Sequence, residues 1–565
     1  MSKELHLDDG KSVDGARGPG AAVEAGVESP SPVRTPGSAP ASDESSVARK
    51  QWWLLSFFIV LGLGLRMIFL FGTMGHDEAE TYVLFASRSL SYGLSNYPFP
   101  NNHIFHTLLV HESTSLFGNA PWAIRLPAFL AGILVVPATF FAVRGFFGRK
   151  PALIAAGLAA VSWPLVSYSV NARGYTIQTL IFLLLLIVAQ RIKRKNDLAS
   201  WAGFVCLGAL GFFTVPTMMY FFGAVAIWLL ISALRGDTPA IPSKLVLRLV
   251  LSCVAVAILV LLLYTPALIH SGITSQVTQP VTYHLHGVSF YKQIPIRMIG
   301  TVAFFTLSVM LSFSRSGLLW VLMLTATATL TVFLAYGFLV SVFRNRRLSR
   351  HRSNLALVLL VWSAVVVLAQ GYFPPERVFI PFIPLYFGYA SAGLYFTWSR
   401  IRSKYTLPAR VRVAYGLAVG LTLILAAVLI LAQVPWQPRD LCTMRDAPEM
   451  AAQLSRILRP GDVVYMEPVT RKNLEYYFIR NGLPLSYFYG TDKYGPRDRA
   501  VTGRSFIVVD DLDGSPLDKT VKWAHLPAST GDRMDLVVCC DNSAAFIIPG
   551  RGSPVTVEGS PGVNN

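Results

Sequence analysis

Apolar residues in this chain come in long blocks, separated by short polar, often basic, stretches. Eleven blocks stand out, at about 52–73, 122–143, 152–168, 174–190, 199–214, 217–234, 246–268, 317–343, 354–369, 378–398 and 413–433. Most match the roughly 17–25 residues that carry an α-helix across a hydrocarbon core. Backbone groups in lipid must be satisfied within their own segment, so such blocks predict helices. A transmembrane barrel would show short alternating segments instead and is excluded. The pattern predicts a polytopic α-helical membrane protein with about 11 transmembrane helices.

The flanks have a different pattern. Residues 1–50 are rich in Gly, Pro, Ser and Ala, have almost no aromatic content, and read as a disordered cytoplasmic tail. No signal peptide is expected there, because the first apolar block starts only at Trp52 and no small-residue cleavage site follows it. The bundle, 51–433, contains two long external loops, 74–121 and 269–316. The first is long enough for short interfacial helices. The second holds an apolar stretch, Thr301 to Phe313, too short to span and expected to be interfacial or re-entrant. Residues 434–550 return to mixed composition. Helical periodicity over 447–458 and about 471–481, with strand-like runs at 463–466, 505–509 and 536–539, predicts a small C-terminal extracytoplasmic α/β domain. Residues 551–565 read as a second disordered tail.

Composition agrees, since 14% charged residues against 53% hydrophobic cannot give a soluble chain of this size a wetted surface. The net charge of +18 would suit nucleic acid, but its placement excludes that partner. The cations fall between apolar blocks: Arg144, Arg149 and Lys150; Arg191 to Lys195; Arg235, Lys244 and Arg248; Arg344 to Arg352; Arg400 to Arg412. The alternate loops are poor in Lys and Arg. By the positive-inside rule the N-terminus is cytoplasmic and the C-terminal domain lies outside, as an odd helix count requires. The expected location is the inner (plasma) membrane. Of five cysteines, Cys206 and Cys253 sit in apolar blocks, whereas Cys442, Cys539 and Cys540 fall in the exported domain, where a bridge from Cys442 is open.

The external side collects the reactive residues. Gly75-His76-Asp77-Glu78 follows the first block, and the paired carboxylates can act as a general base, hold a metal, or merely favour a helix N-terminus. Asn102 and His103 lie further along the same loop, with His106 three residues on; contact with substrate is expected of the first two. A divalent metal at Asp77, His103 and His106 is the weaker reading, and it is the one cofactor the residues suggest. Arg173 and Tyr175 mark the turn between the third and fourth blocks, and Glu376 and Arg377 precede the tenth. Such arginines anchor helix ends by snorkelling or bind phosphate through a planar pair of donors. Arg66 lies within the first block, where an ionisable group is costly and usually faces the bundle interior. It is a candidate partner for Asp77 or for an anionic ligand.

Taken in order, the Asp77-Glu78 pair, Phe117-Gly118 leading to Arg125-Leu126-Pro127, Ala172-Arg173-Gly174-Tyr175, and Arg377 before Pro381 and Pro384 form a set. Over about residues 52–400 the chain resembles the type C membrane glycosyltransferases. Within them it is most similar to bacterial relatives of the dolichyl-phosphate-mannose protein mannosyltransferases and of the lipid A aminoarabinose transferase. The Trp-Trp-Asp motif of oligosaccharyltransferases is absent, since Trp52-Trp53 is followed by Leu54. The resemblance implies transfer of a sugar from a polyprenyl-phosphate donor to a protein, lipid or envelope glycan, usually with inversion. It assigns Asp77, with Glu78 beside it, to catalysis and Arg173 and Arg377 to the departing phosphate. A secondary transporter or lipid-linked sugar flippase is the competing reading, though transporters tend to show repeats and midplane charges. Here the polar residues gather on one face.

Overall fold

A computed structural model describes residues 41–97, 101–238, 241–277, 288–307, 318–405, 444–489, 503–510, 517–524 and 534–548, with a few isolated positions besides. The first helix, α1, is Ala41–Leu70. Short helices α2 (His76–Thr81), α3 (Leu90–Ser95) and α4 (Ile104–Phe117) fill the first long loop, as expected. Next come α5 (Pro121–Phe147), α6 (Arg149–Ala160), α7 (Trp163–Ser167), α8 (Tyr175–Lys195), α9 (Leu198–Thr214) and α10 (Met219–Leu234). They are followed by α11 (Pro242–Val277), α12 (Val288–Leu307), α13 (Leu318–Phe343), α14 (Asn345–Leu348), α15 (Leu355–Gln370) and α16 (Phe382–Lys404).

Among the described residues, six helices are long and apolar enough to cross a membrane, or seven if one bent pair forms a single span. The apolar helices α9 and α15 are shorter, and α16 is long but rich in aromatic and glycine residues. Each of the first ten predicted helices thus has a counterpart in a multi-pass protein. The eleventh, 413–433, falls largely outside the described residues.

The third span is not the straight helix its composition predicts. Arg149–Ala160 and Trp163–Val170 meet at 60°, with Ser162 in extended backbone (ψ 119) just ahead of Trp163-Pro164. Pro164 has no amide to donate to Ala160 and its ring would clash with that carbonyl, so one helix ends and another restarts here. Between α5 and α6 the chain turns on Gly148 alone, whose φ of 86 is open to glycine and strained for other residues. In the second long loop, helix α12 begins at Val288, well before the apolar stretch at Thr301, and ends at Leu307.

The C-terminal part contains α17 (Ala447–Ile457), α18 (Pro468–Arg480) and α19 (Leu517–Trp523) around four strands, β1 (Val463–Tyr465), β2 (Ser505–Asp510), β3 (Asp535–Cys539) and β4 (Ser543–Ile547). The sheet order is β1-β2-β4-β3, with β1 parallel to β2 and the other pairs antiparallel. Every residue of β2 is buried, as its unbroken apolar run suggests. Strand β4 and helix α19 were not foreseen. Cys539 and Cys540 are free thiols, and Cys442 lies outside the described residues.

This domain packs onto the first loop. One apolar cluster joins Met74, Ala79, Tyr82 and Val83 to Met450, Tyr476 and Phe478. Asn473 Nδ2 donates to the Met74 carbonyl at 2.5 Å, and the Met74 amide donates to Tyr477 Oη at 3.2 Å. Tyr476 donates its hydroxyl to the Asn119 carbonyl (2.7 Å) and sets its ring edge-on to Tyr82.

Candidate active site

The site is built on α2, which starts where the chain leaves α1. Asp77 and Glu78 both occupy its first turn, where carboxylates suit the exposed amides and the helix dipole. They then diverge. Glu78 turns inward and is buried; its Oε1 accepts from the Gly75 amide (2.7 Å), and its Oε2 from Arg125 Nε (2.9 Å) and the Ala172 amide (3.1 Å). Arg125 NH2 closes a bidentate pair with Oε1. The same guanidinium donates to the carbonyls of Phe69, Leu70, Gly72 and Thr73, capping the end of α1 and the turn that follows. Glu78, expected to react beside Asp77, is therefore a structural anchor for α2 in this geometry.

Asp77 is half-exposed and faces Arg173, whose Nε lies 3.9 Å from Oδ2, an ion pair longer than a hydrogen bond. Arg173 holds the Asp77 carboxyl below the usual carboxylate range; burial opposes this, and Arg377 and His76 add to it. Arg173 is itself buried and fixed. NH1 donates to the Asn101 carbonyl (3.1 Å) and Thr81 Oγ1 (3.4 Å), and NH2 donates to Asn101 Oδ1. Asn101 in turn donates to Glu80. Arg377 sits in a 3₁₀ turn, Glu376–Phe379, before α16; it is hydrogen-bonded to Tyr175 and within electrostatic reach of Tyr168 and Asp77. Glu376, at the start of that turn, points toward Gly300 of α12.

Three residues expected at the substrate have other partners. Asn102 is buried, donates to the carbonyls of Gly93 (2.8 Å) and Asn96 (3.0 Å), and accepts from Thr107 (2.7 Å), which fixes the loop. His103 is buried, accepts from the Gly174 amide through Nδ1 (2.8 Å) and meets the Tyr175 ring edge-on. It therefore orients the turn that carries Arg173 and Tyr175. Arg66, expected to partner Asp77 or an anion, is instead fully buried, and donates to Ser169 Oγ (3.1 Å) and to the carbonyls of Gly62 (2.9 Å), Ala160 (3.2 Å) and Leu165 (3.4 Å).

The metal-ligating atoms that cluster among the described residues are those of His76, Asp77 and Glu80, all within 4.8 Å of one another. His103 and His106 do not join them. His76 Nδ1 is buried with no hydrogen-bond partner, and burial holds its imidazole below the usual histidine range, in the neutral form that binds metals. The spacing His76-x-x-x-Glu80 puts both on one helix face, a signal that the sequence carries.

The bundle with a carboxylate-bearing helix after the first span, and an α/β domain seated on it, has solved counterparts. ArnT from Cupriavidus metallidurans in the apo state superposes at TM-score 0.54, with 13% identity, covering 90% of this chain and 100% of that one. The chain shares the fold of that structure. The same ArnT bound to undecaprenyl phosphate matches at TM-score 0.51 and 12% identity, covering 88% and 99%. Residues 103–270, from His103 through most of α11, match the family model described as dolichyl-phosphate-mannose-protein mannosyltransferase. The archaeal oligosaccharyltransferase AglB from Archaeoglobus fulgidus, in complex with an inhibitory peptide and a dolichol-phosphate, is less similar, at TM-score 0.47 and 15% identity over 76% of this chain and 59% of that one. No curated protein matches the chain.

Proposed function

We propose that the chain transfers a sugar from a polyprenyl-phosphate donor to an acceptor hydroxyl or amine outside the cytoplasm. The acceptor is a protein, lipid or envelope glycan, and inversion at the anomeric carbon follows from direct displacement. The observation that carries the reading is the convergence of Asp77, Arg173 and Arg377, one half-exposed carboxylate facing two cations. Asp77 accepts the acceptor's proton as its nucleophile attacks the anomeric carbon. The bond from that carbon to the phosphate oxygen breaks, and its electron pair leaves with the phosphate. Charge grows on the phosphate in the transition state, where fixed guanidiniums lower the barrier. Tyr175 holds Arg377, and His103 holds the backbone beside Arg173.

An apolar groove supports a place for the lipid tail. An apolar groove of about 420 Å³, lined by Met298, Phe305, Phe338, Phe373, Phe379 and Tyr386, runs between α12, α13, α15 and α16. Two of these, Phe373 and Phe379, flank Arg377 in the chain. The basic loops orient the site away from the cytoplasm, in the inner (plasma) membrane. The test is transfer by purified protein in vesicles loaded with a polyprenyl-phosphate sugar. Asp77→Asn is expected to lower turnover by about 100-fold or more while insertion and folding are kept. Full transfer by that variant removes Asp77 from catalysis, and donor movement across the bilayer without transfer favours the flippase reading.

A second reading, favoured by the unpartnered His76 Nδ1, is a divalent cation held by His76, Asp77 and Glu80. Such an ion supplies a fixed positive charge for the donor's phosphate oxygens. Direct titration with Mn²⁺ tests it, binding being lost in His76→Ala; equal binding by both proteins, or none by either, rejects it.

A further inference from the structure

Helices α13 and α16 run side by side, and their closest point is a crossing of two glycines. A Cβ on Gly393 would lie 1.9 Å from the Gly337 carbonyl oxygen, and one on Gly337 would lie 2.4 Å from the Ala390 carbonyl oxygen. Only glycine lets the two backbones meet there, as small residues do at membrane helix crossings. Both helices continue past the crossing, α16 to a basic last turn and α13 to the arginines just beyond its end. A cavity of about 600 Å³ opens between them, walled by Tyr336, Phe343 and Phe396 and edged by Arg344, Arg347 and Arg400.

We propose that this cavity binds an anionic phospholipid of the bilayer, its phosphate on the three arginines and its chains along the apolar wall. Three observations converge on that occupant. Among the described residues none of the three arginines has a carboxylate partner, and Arg400 only stacks over the Phe396 ring at 5.4 Å. All three arginines are exposed residues. The wall is continuous with the outward face of α13, where Val332, Phe333, Tyr336, Leu339 and Phe343 are exposed, up to 81% for Phe343. A water-soluble anion matches the arginines and leaves that wall bare. A lipid with a charged headgroup matches both, and basic pockets between membrane helices recognise such headgroups. The site lies at the basic end of the bundle, away from the elements that carry Asp77, and its wall meets the groove proposed for the donor's tail at Leu339.

The experiment uses the full chain in nanodiscs, read by native mass spectrometry of retained lipid and by thermal unfolding. In phosphatidylcholine containing phosphatidylglycerol, the wild-type protein is expected to retain phosphatidylglycerol selectively and to unfold at a higher temperature than in phosphatidylcholine alone. The triple variant Arg344→Gln, Arg347→Gln, Arg400→Gln is expected to lose that preference, with apparent affinity falling by about 100-fold for three charges removed. A control triple, Arg346→Gln, Arg402→Gln, Lys195→Gln, removes equal charge from the same end without touching the cavity and keeps the preference. Equal losses in the two triples overturn the site in favour of diffuse surface charge. Protection by inorganic phosphate alone overturns a lipid occupant. Displacement of phosphatidylglycerol from the cavity by undecaprenyl phosphate at equal concentration overturns the assignment to a structural phospholipid. Gly393→Leu separates the cavity from its charges, since it disturbs the crossing and is expected to abolish retention with all three arginines present.

Discussion

Arg125 and Glu78 form a buried bidentate ion pair that joins α5 to the first turn of α2, one residue from the half-exposed carboxylate of Asp77. Neighbouring acids thus have opposite tasks, and mutation separates them. Breaking a buried pair by removing one partner leaves an uncompensated charge, at about 3–5 kcal/mol. Glu78→Gln and Arg125→Met are therefore expected to lower the unfolding temperature in detergent markedly. Asp77→Asn leaves it near the wild-type value and removes transfer. A Glu78→Gln protein of wild-type stability with no activity would return Glu78 to the chemistry.

Arg173 is expected to be unforgiving of substitution. Its two ends are held by Asn101 and Thr81, and Nε is left facing Asp77. Lysine keeps the charge but cannot reproduce that fork. Arg173→Lys is predicted to reduce kcat by about 10-fold or more, since it loses both phosphate stabilisation and the alignment of Asp77. Kinetics with a water-soluble short-chain donor check this; a variant changed only in KM assigns Arg173 to ground-state binding.

The fold was legible because lipid forces helices to announce themselves in long apolar blocks, and ten of eleven have counterparts. Asp77, Arg173 and Arg377 stood out because charged residues are rare on that side of the chain. The divergence of Asp77 and Glu78 was not legible: adjacent carboxylates look alike until the position of Arg125, 47 residues away, is known. Asn102 and His103 misled for a related reason. Polar residues in a long loop suggest ligand contact, whereas here the loop's own buried carbonyls and amides need partners, and these side chains supply them. Strand β4 went unseen because Ser543–Ile547 is short and includes two alanines; its pairing on β2 and β3 makes it a strand.

The contact between α18 and Met74 ties the C-terminal domain to the start of α2. Asn473 and Tyr477 grip both backbone groups of Met74, one residue before the N-cap of α2. Asn473→Leu with Tyr477→Phe is expected to lower kcat several-fold with little change in KM for the donor, because the carboxylate is still present but less well aligned. Hydrogen exchange at residues 74–81 should rise in step. Unchanged exchange and unchanged kcat would show that the domain only rests on the loop.

His106 gives the fold a defined acid sensitivity. It lies wholly buried on α4, both ring nitrogens lack partners, and burial, assisted by Arg173, lowers its pKa to about 3. His103 is the other titratable neighbour and is likewise held low. Unfolded, His106 titrates near its ordinary value of about 6.5. Between these limits the unfolded chain binds a proton that the folded chain refuses. Stability is therefore full above pH 6.5, declines as the pH falls, and levels off below about 3. One such group costs about 1.4 kcal/mol per pH unit within the window. Leucine fills the same space, has no hydrogen bond to lose and takes no proton. Denaturant unfolding of His106→Leu between pH 7 and 5 should accordingly show a shallower fall than wild type, by about one proton, with His103 contributing equally to both. Parallel profiles would mean that water or an unfolding intermediate protonates His106 before the fold gives way.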